Sequence, residues 1–150
     1  MRMQKYASRA KHKYMEKHTE EFILFAEAKA LATCANGDLN VVPVSSIKIV
    51  DGKIWLINYF MDKTLANILK NGNIALVCWR KMMGYQIKGK AFYATEGQDF
   101  DEATKWIKSV LPKRVVKGLI ILTPEEIHDI SPTKDTKEKF LEEQKHTVLS

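Results

Sequence analysis

Several features that would direct a protein to other compartments or chemistries are absent from this 150-residue sequence. Its apolar runs fall well short of the roughly 20 residues that a membrane helix needs. The basic N-terminus is not followed by the apolar core of a signal peptide. Only two cysteines occur, Cys34 and Cys78, and both lie in apolar, strand-like runs. We therefore expect a cytoplasmic globular protein with buried thiols rather than a disulfide or a metal pair.

The sequence also lacks the common motifs of nucleotide binding and hydrolysis. Neither G-x-x-x-x-G-K-[ST] nor G-x-G-x-x-G occurs, and no serine lies in a nucleophile-elbow context. The histidines are scattered and no C-x-x-C is present, so no metal site is predicted. Carboxylate pairs fall at predicted helix or turn starts, where capping explains them. Acid–base hydrolysis therefore has no candidate residues.

The net charge of +6 belongs mainly to the N-terminus. Residues 1–18 hold six basic side chains against one acidic and so carry +5 of this total. Apolar side chains recur there at spacings of three and four, which predicts a helix packed on the body of the protein. We expect a basic extension at 1–18, one domain at 19–132, and a charged tail at 133–150 that is a solvated helix or disordered.

Strand-like runs separated by turn dipeptides dominate the domain. Asn36-Gly37 and Asp51-Gly52 predict tight turns, and the second of them makes 39–60 a hairpin. The predicted strands are 30–34, 39–50, 53–60, 73–79, 85–95, 115–123 and 126–131, the last a short edge. Gly89 within the fifth of these runs predicts a close approach of the backbone. We expect a mainly β protein, a small antiparallel barrel of about six strands with helices outside.

Three helices are predicted around these strands. The first runs from Thr19 to about Lys29, with acidic residues at its start. The second occupies about 63–70 and is ended by Asn71-Gly72 as a C-cap. The third occupies about 99–110, where Asp99 and Glu102 resemble a capping box.

The second helix poses an electrostatic question, because it opens with Lys63 and the positive end of a helix dipole disfavours a lysine. One interpretation is that Asp62 caps the helix and Lys63 points into water. The other is that an anion binds there, since the N–H groups of Lys63, Thr64 and Leu65 have no partner within the helix. A phosphate would gain these donors, the Thr64 hydroxyl and the lysine charge together. One lysine and one hydroxyl suit a terminal phosphate monoester better than a triphosphate.

The residues around this helix resemble a known family. The run NVVPVSSIKIVDGKIWLINYFMDKTLANILKNGNIALVCW at 40–79, followed by GYQIKGKAFYATEG at 84–97, is similar to the FMN-binding split-barrel family of pyridoxamine 5′-phosphate oxidase-like flavoproteins. The MDKTLAN and TKWIK segments most resemble the small FMN-binding proteins of anaerobes. The resemblance covers about residues 20–131. It implies a six-stranded antiparallel split barrel and a homodimer that holds FMN at the subunit interface.

The resemblance also implies roles for individual residues. Lys63 and Thr64 match the phosphate-binding pair, with Asn67 one turn further on. The strand along the isoalloxazine ring is matched by Val42, Pro43, Val44, Ser45 and Ser46. The strand end that closes over the ribityl chain and ring is matched by Asn58, Tyr59 and Phe60. Trp79, Gln86 and Trp106 match places from which the second subunit reaches the flavin, although core packing would equally explain a tryptophan at helical spacing.

The function implied is that of an FMN-binding redox protein or FMN-dependent oxidoreductase whose substrate or electron partner is not predicted. The C-terminal region lacks the arginine- and histidine-bearing motif of pyridoxamine 5′-phosphate oxidase, so that activity is not expected. Two alternatives stay open: a reductase of the same fold that uses the deazaflavin F420, and a nucleic-acid-binding small barrel. The latter would use the basic N-terminus and the aromatics and lysines between Trp79 and Tyr93.

Overall fold

The computed structural model describes residues 15–148 and has four helices and seven strands. The helices are α1 Lys17–Phe25, α2 Asp62–Lys70, α3 Gln98–Val110 and α4 Lys134–Val148. The strands are β1 Ala28–Ala35, β2 Asp38–Pro43, β3 Ile47–Val50, β4 Lys53–Asn58, β5 Asn73–Arg80, β6 Met83–Ala94 and β7 Gly118–Asp129. The predicted mainly β fold is confirmed, with seven strands where six were expected. Most of the predicted basic extension lies outside the described residues, and its helical state stays a prediction.

All seven strands form one antiparallel sheet in the order β2-β1-β5-β6-β7-β4-β3. Its two edge strands, β2 and β3, are joined by only Val44, Ser45 and Ser46, which can span about 14 Å at most. The two edges must therefore lie close together, and the sheet curls into a barrel. The linking residues complete the closure: Val44 N donates to Lys29 O (3.0 Å), and Ser46 O accepts from Ile57 N (3.2 Å).

This closure corrects the prediction of a single strand at 39–50. The first part of that run pairs with β1 and the second part with β4, at opposite edges of the sheet. The chain must leave one partner before it joins the other, so the run is divided at 44–46. The predicted turns at Asn36-Gly37 and Asp51-Gly52 are confirmed, because all four residues adopt the positive φ that such turns require.

The structure also corrects the prediction of two strands at 115–123 and 126–131. Gly118–Asp129 is one strand, and Pro124 is accommodated by a shift of register: Gly89 pairs with Pro124, whereas Lys88 pairs with Glu126. The shift leaves Glu125 as an extra residue, which is the pattern of a β-bulge. Gly89 is required there, because a Cβ at this position would lie 2.0 Å from Thr123 O.

The sheet buries apolar side chains on both of its faces. The barrel interior contains Leu31, Leu56, Leu76, Ile87 and Leu122, all fully buried. A second cluster lies outside the barrel, where α3 packs on β4 and β7 and covers Trp55, Ile57, Ala103, Ile107, Leu119 and Ile121. Because β4 is buried on both faces, its sequence is a continuous apolar run rather than an alternating one.

The predicted end of α2 is confirmed, because its C-cap is Asn71, whereas the predicted capping box of α3 is wrong. The N-cap of α3 is Gly97, with φ 97°, and the structure gives no side-chain capping hydrogen bond for this described helix. Asp99 lies within the first turn of the helix. Asn71 does end α2, but in an extended conformation, with its N–H bonded to Asn67 O at 2.7 Å. Gly72 is instead needed for a close approach to β6, since a Cβ would lie 3.3 Å from Ala91 O.

The C-terminal tail forms the helix α4, with its described side chains exposed. This outcome matches the solvated helix that was one of the two predictions for 133–150. Among the described residues, no helix is both long and apolar enough to cross a membrane.

Candidate functional site

The start of α2 lies at the end of β4, where the sequence predicts an anion site. The N-cap position is Met61, whose thioether replaces the oxygen that Ser, Thr, Asp or Asn would supply. The first helical hydrogen bond runs from Leu65 N to Met61 O at 3.0 Å. The N–H groups of Asp62, Lys63 and Thr64 therefore precede the hydrogen-bonded turn and point out of the helix end. The interpretation that Asp62 caps this helix is wrong, because Asp62 is its first residue and bonds elsewhere.

Two lysines and two carboxylates surround this helix end. Lys63 forms an ion pair with Asp38 on β2, and Lys117 bonds Asp62 Oδ1 at 3.2 Å. Lys117 was not identified from the sequence. It is positioned by its own N–H, which donates to Asn58 O at 2.9 Å. All four side chains are more than half exposed, so these pairs are weak in water and can exchange partners.

Thr64 and Asn67 lie on the face of α2 that packs on the β1–β2 hairpin, and both are buried. Asn40 Nδ2 donates to Thr64 Oγ1 at 3.0 Å, which leaves the hydroxyl hydrogen of Thr64 to act as a donor. Asn67 Nδ2 donates to Thr33 Oγ1 at 3.1 Å and approaches Asp38 O at 3.5 Å. Asn67 thus fixes the helix to the sheet, and Thr64 is held beside the helix end by Asn40.

The residues between β4 and α2 are tied down by side-chain hydrogen bonds. Asn58 Oδ1 accepts from Met61 N at 2.7 Å, and Asn58 Nδ2 donates to Tyr93 Oη at 2.8 Å. The Tyr59 hydroxyl bonds Ser46 Oγ at 2.8 Å. Asn58, Tyr59 and Ser46 are consequently buried, whereas Phe60 is 83% exposed beside the helix start. Phe60 is the one member of this predicted group that offers free apolar surface.

A cleft of about 600 Å³ brings together five of the residues that the resemblance implied for the flavin. Val42, Pro43, Val44 and Ser45 form one wall, and Trp79 contributes from β5. Trp79 pairs with Ala28 across the β1–β5 ladder and is 41% exposed. The cleft is mostly apolar, with backbone groups of the β2–β3 link along its side.

Gln86 and Trp106 are placed elsewhere in the described part of the chain. Gln86 lies on the outer surface of β6, between Val77 and His128 in the ladder. Trp106 lies on α3, packs against the outer cluster, and has Lys48 Nζ 5.4 Å from its ring centroid. Neither residue lines the cleft beside Trp79 within one protomer.

The outer surface of β2, β1 and β5 is an apolar surface without a helix over it in the described residues; we call it the open face. Two adjacent rows of paired residues make it up: Val41, Ala32 and Ala75, and then Pro43, Ala30 and Val77. Val41 is 66% exposed, and the neighbouring Leu39 is 78% exposed. Small residues make this surface flat enough for a close approach by another protein surface.

The aromatic and basic residues of 79–93 do not form an interleaved stacking surface. Tyr85 and Tyr93 turn inward and pack against the barrel core, whereas Lys88 and Lys90 are exposed. Tyr85 also packs edge to face on Phe22, with ring centroids 5.2 Å apart. Burial raises the pKa of the Tyr85 phenol, an effect that the Thr19 hydroxyl partly offsets. Tyr85 and Tyr93 therefore do not provide the exposed aromatic platform that single-stranded nucleic acids use, whereas Trp79 and Phe92 of the same segment are exposed.

The comparisons with known proteins agree with this architecture. The family model described as pyridoxamine 5′-phosphate oxidase matches residues 15–131. The Methanocaldococcus jannaschii protein MJ0282 is 35% identical over 126 residues, which cover 79% of this chain and 85% of that protein. HupZ of Group A Streptococcus has a similar structure, with a TM-score of 0.70 at 24% identity over 78% of this chain and 94% of that one. An FMN-binding protein from Syntrophomonas wolfei gives 0.67 at 18% identity over 77% and 85%.

Proposed function

The chain belongs to the pyridoxamine 5′-phosphate oxidase family, and from that premise we propose that it is a homodimeric flavoprotein with FMN at its subunit interface. The observation that carries the proposal is the start of α2, which has no side-chain cap and holds Lys63 and Thr64 in its first turn. An anion is the ligand that such an arrangement favours.

The residues at this helix end fit a phosphate monoester. The helix start lacks a capping oxygen, and the lysine there is unfavourable unless an anion is present. Asp38 neutralises Lys63. A phosphate would displace Asp38, because the phosphate can accept hydrogen bonds from the helix N–H groups as well as from Lys63. Lys117 in turn neutralises Asp62, which would otherwise repel the phosphate.

The cleft beside Trp79 fits the flavin ring. Pro43 and Trp79 offer apolar surface to the cleft, and Val42, Val44 and Ser45 line it as part of the same stretch of chain, although the side chains of Val42 and Val44 pack against the barrel core. A cavity of this size lies within the range of about 300–1,000 Å³ that small-molecule sites occupy. Both the cleft and the phosphate site lie along β2 and its extension, because Asn40 contacts Thr64 and the lining of the cleft on this strand begins at Val41, the next residue.

The homodimer is proposed from the open face. Its exposed valine, leucine and alanine side chains form a flat apolar surface, and stable dimers bury about 2,000 Å² or more in such contacts. Trp79 and Gln86 border this surface, so in a dimer formed through it they would lie close to the second subunit. This placement is compatible with the resemblance, which implies that both residues reach the flavin of the partner.

FMN would supply the redox chemistry by accepting and returning electrons or a hydride. The chain's own residues would bind the phosphate, orient the ring and exclude water from it. We propose a cytoplasmic redox protein or FMN-dependent oxidoreductase on this basis.

The purified protein provides the test. We expect a yellow protein with flavin absorption bands, a released chromophore with the mass of FMN, and a dimer by light scattering at micromolar concentration. A released chromophore with the mass of F420 would instead support the alternative in which the protein binds this deazaflavin. Apo-protein that fails to bind added FMN at micromolar concentration would refute the proposal.

A further inference from the structure

The turn between β5 and β6 differs from the other two-residue turns in the barrel. The β1–β2 and β3–β4 turns are Asn36-Gly37 and Asp51-Gly52, the dipeptides that favour positive φ. The β5–β6 turn is Lys81-Met82, and Lys81 is held at φ 53°. A lysine is uncommon in this conformation. The turn thus places a lysine where the positive φ would favour glycine or asparagine, with the large side chain of Met82 next to it.

These side chains form one wall of a second cleft, which is separate from the start of α2. Met82 and Met83 lie opposite Phe22 and Phe25 of α1, and Leu141 of α4 contributes a third side. The cleft has a volume of about 560 Å³, within the range of small-molecule sites. Phe25 is 77% exposed and Met83 is 47% exposed, so apolar surface remains for a ligand to cover.

Two cations stand at the rim of this apolar cleft. Arg80 and Lys81 both line it and both are exposed. Among the described residues, Arg80 contacts one carboxylate, from Nε to Glu27 at 3.5 Å. This distance is longer than that of a charged hydrogen bond, and the contact does not use the terminal nitrogens of the guanidinium. A planar guanidinium beside a lysine is well suited to bind a carboxylate.

We propose that this cleft binds a small amphipathic carboxylate, a molecule with an apolar body and one anionic group, such as a medium-chain fatty acid. The apolar body lies against Phe25 and the two methionines, whose unbranched side chains adapt to different shapes. The carboxylate lies between Arg80 and Lys81. The second cleft shares no lining residue with the cleft beside Trp79, although Glu27 of that cleft pairs with Arg80, and binding can be tested whether or not flavin is bound.

The apolar part is tested by titrating dodecanoate into the full-length protein by calorimetry, below the concentration at which the ligand forms micelles. We expect one dodecanoate per chain. The Phe25→Ser variant should bind about tenfold more weakly, because it removes much of the apolar contact. Phe92→Ser is the matched control, since Phe92 is also exposed (66%) but lies outside the cleft; its affinity should equal that of the wild type.

The charged part is tested with a double variant and an uncharged ligand. Arg80→Gln with Lys81→Gln should weaken dodecanoate binding about three- to tenfold, whereas Lys105→Gln with Lys108→Gln, on the exposed side of α3, should not. Dodecanol should bind the wild type and the Arg80/Lys81 variant equally. Several dodecanoates per chain, equal affinity in all variants, or no binding to the full chain would each overturn the proposal.

Discussion

The outer surface of the sheet has two halves that differ in whether a helix of the described chain covers them. On β4 and β7 the outward side chains are large, among them Trp55 and Ile121, and α3 buries them. On β2, β1 and β5 the outward side chains at the centre are small, namely Ala30, Ala32 and Ala75, and the described part of the chain places no helix over them. The two halves belong to one continuous sheet, so strand pairing does not explain the difference.

The difference between the two halves indicates which contacts stabilise the protomer and which are available to form a dimer. Large side chains in the covered half fill the space between the sheet and α3. Small side chains in the open face permit a second protein surface to approach the strands closely. An exposed apolar patch of this kind on an isolated chain usually marks an interaction site. The covered half should therefore control the stability of the protomer, and the open face should control the dimer.

The largest effect should come from breaking the covered half. Trp55→Ala removes a side chain that is 2% exposed between β4 and α3, and substitutions of this type cost about 3–5 kcal/mol. We expect chemical denaturation to show a loss of this size in the free energy of unfolding. Val77→Ala, on the open face, is the matched control. At protein concentrations below dimerisation it should cost less than about 1.5 kcal/mol. Equal losses in the two variants would remove the distinction between the halves.

The second effect should come from breaking the open face. Ala32→Arg places a charge at the centre of the proposed dimer contact, where an unpaired buried charge costs at least about 2 kcal/mol. We expect the dimer to dissociate at micromolar concentration and FMN content to fall with it, as measured by light scattering and flavin absorbance. Thr104→Arg, on the exposed side of α3, should change neither. A dimeric Ala32→Arg variant with full FMN content would place the interface elsewhere.

How far the sequence predicts this arrangement depends on the range of the interactions involved. Local signals are successful: the glycine turns, the position of Lys63 and Thr64 at a helix start, and the alternation along β6 all follow from neighbouring residues. Contacts between distant segments are not predicted. Lys117 meets Asp62 across 55 residues and Asn40 meets Thr64 across 24, and no spacing rule connects these pairs. The division of 39–50 has the same origin, because it depends on which strand each half must pair with.

A third substitution separates the phosphate site from the open face. Lys63→Ala removes one charge-assisted contact, worth about 1.5–3 kcal/mol, and should weaken FMN binding roughly ten- to a hundredfold without dissociating the dimer. Riboflavin, which has no phosphate, should bind both proteins equally, and Lys108→Ala is the control. Fluorescence titration of the apo-proteins measures each affinity. Equal FMN affinity in the Lys63→Ala variant and the wild type would show that Lys63 is not a phosphate ligand.

The smallest effect is expected in the labelling rates of the two thiols. Because Cys34 and Cys78 lie on opposite faces of the sheet, their rates report on both faces without any substitution. Cys78 points into the barrel, where burial raises its pKa to about 11, although the Tyr85 carbonyl contact and Lys29 oppose the shift. At pH 8 almost all of this thiol is protonated, so thiol reagents should not label it in the folded protein. Cys34 is half-buried and lies on the outer side of β1, beside Leu39. If the open face forms the dimer, dilution into the monomeric range should speed the labelling of Cys34 severalfold and leave Cys78 unlabelled. Labelling of Cys34 at one rate across all concentrations would mean that the open face stays exposed in solution.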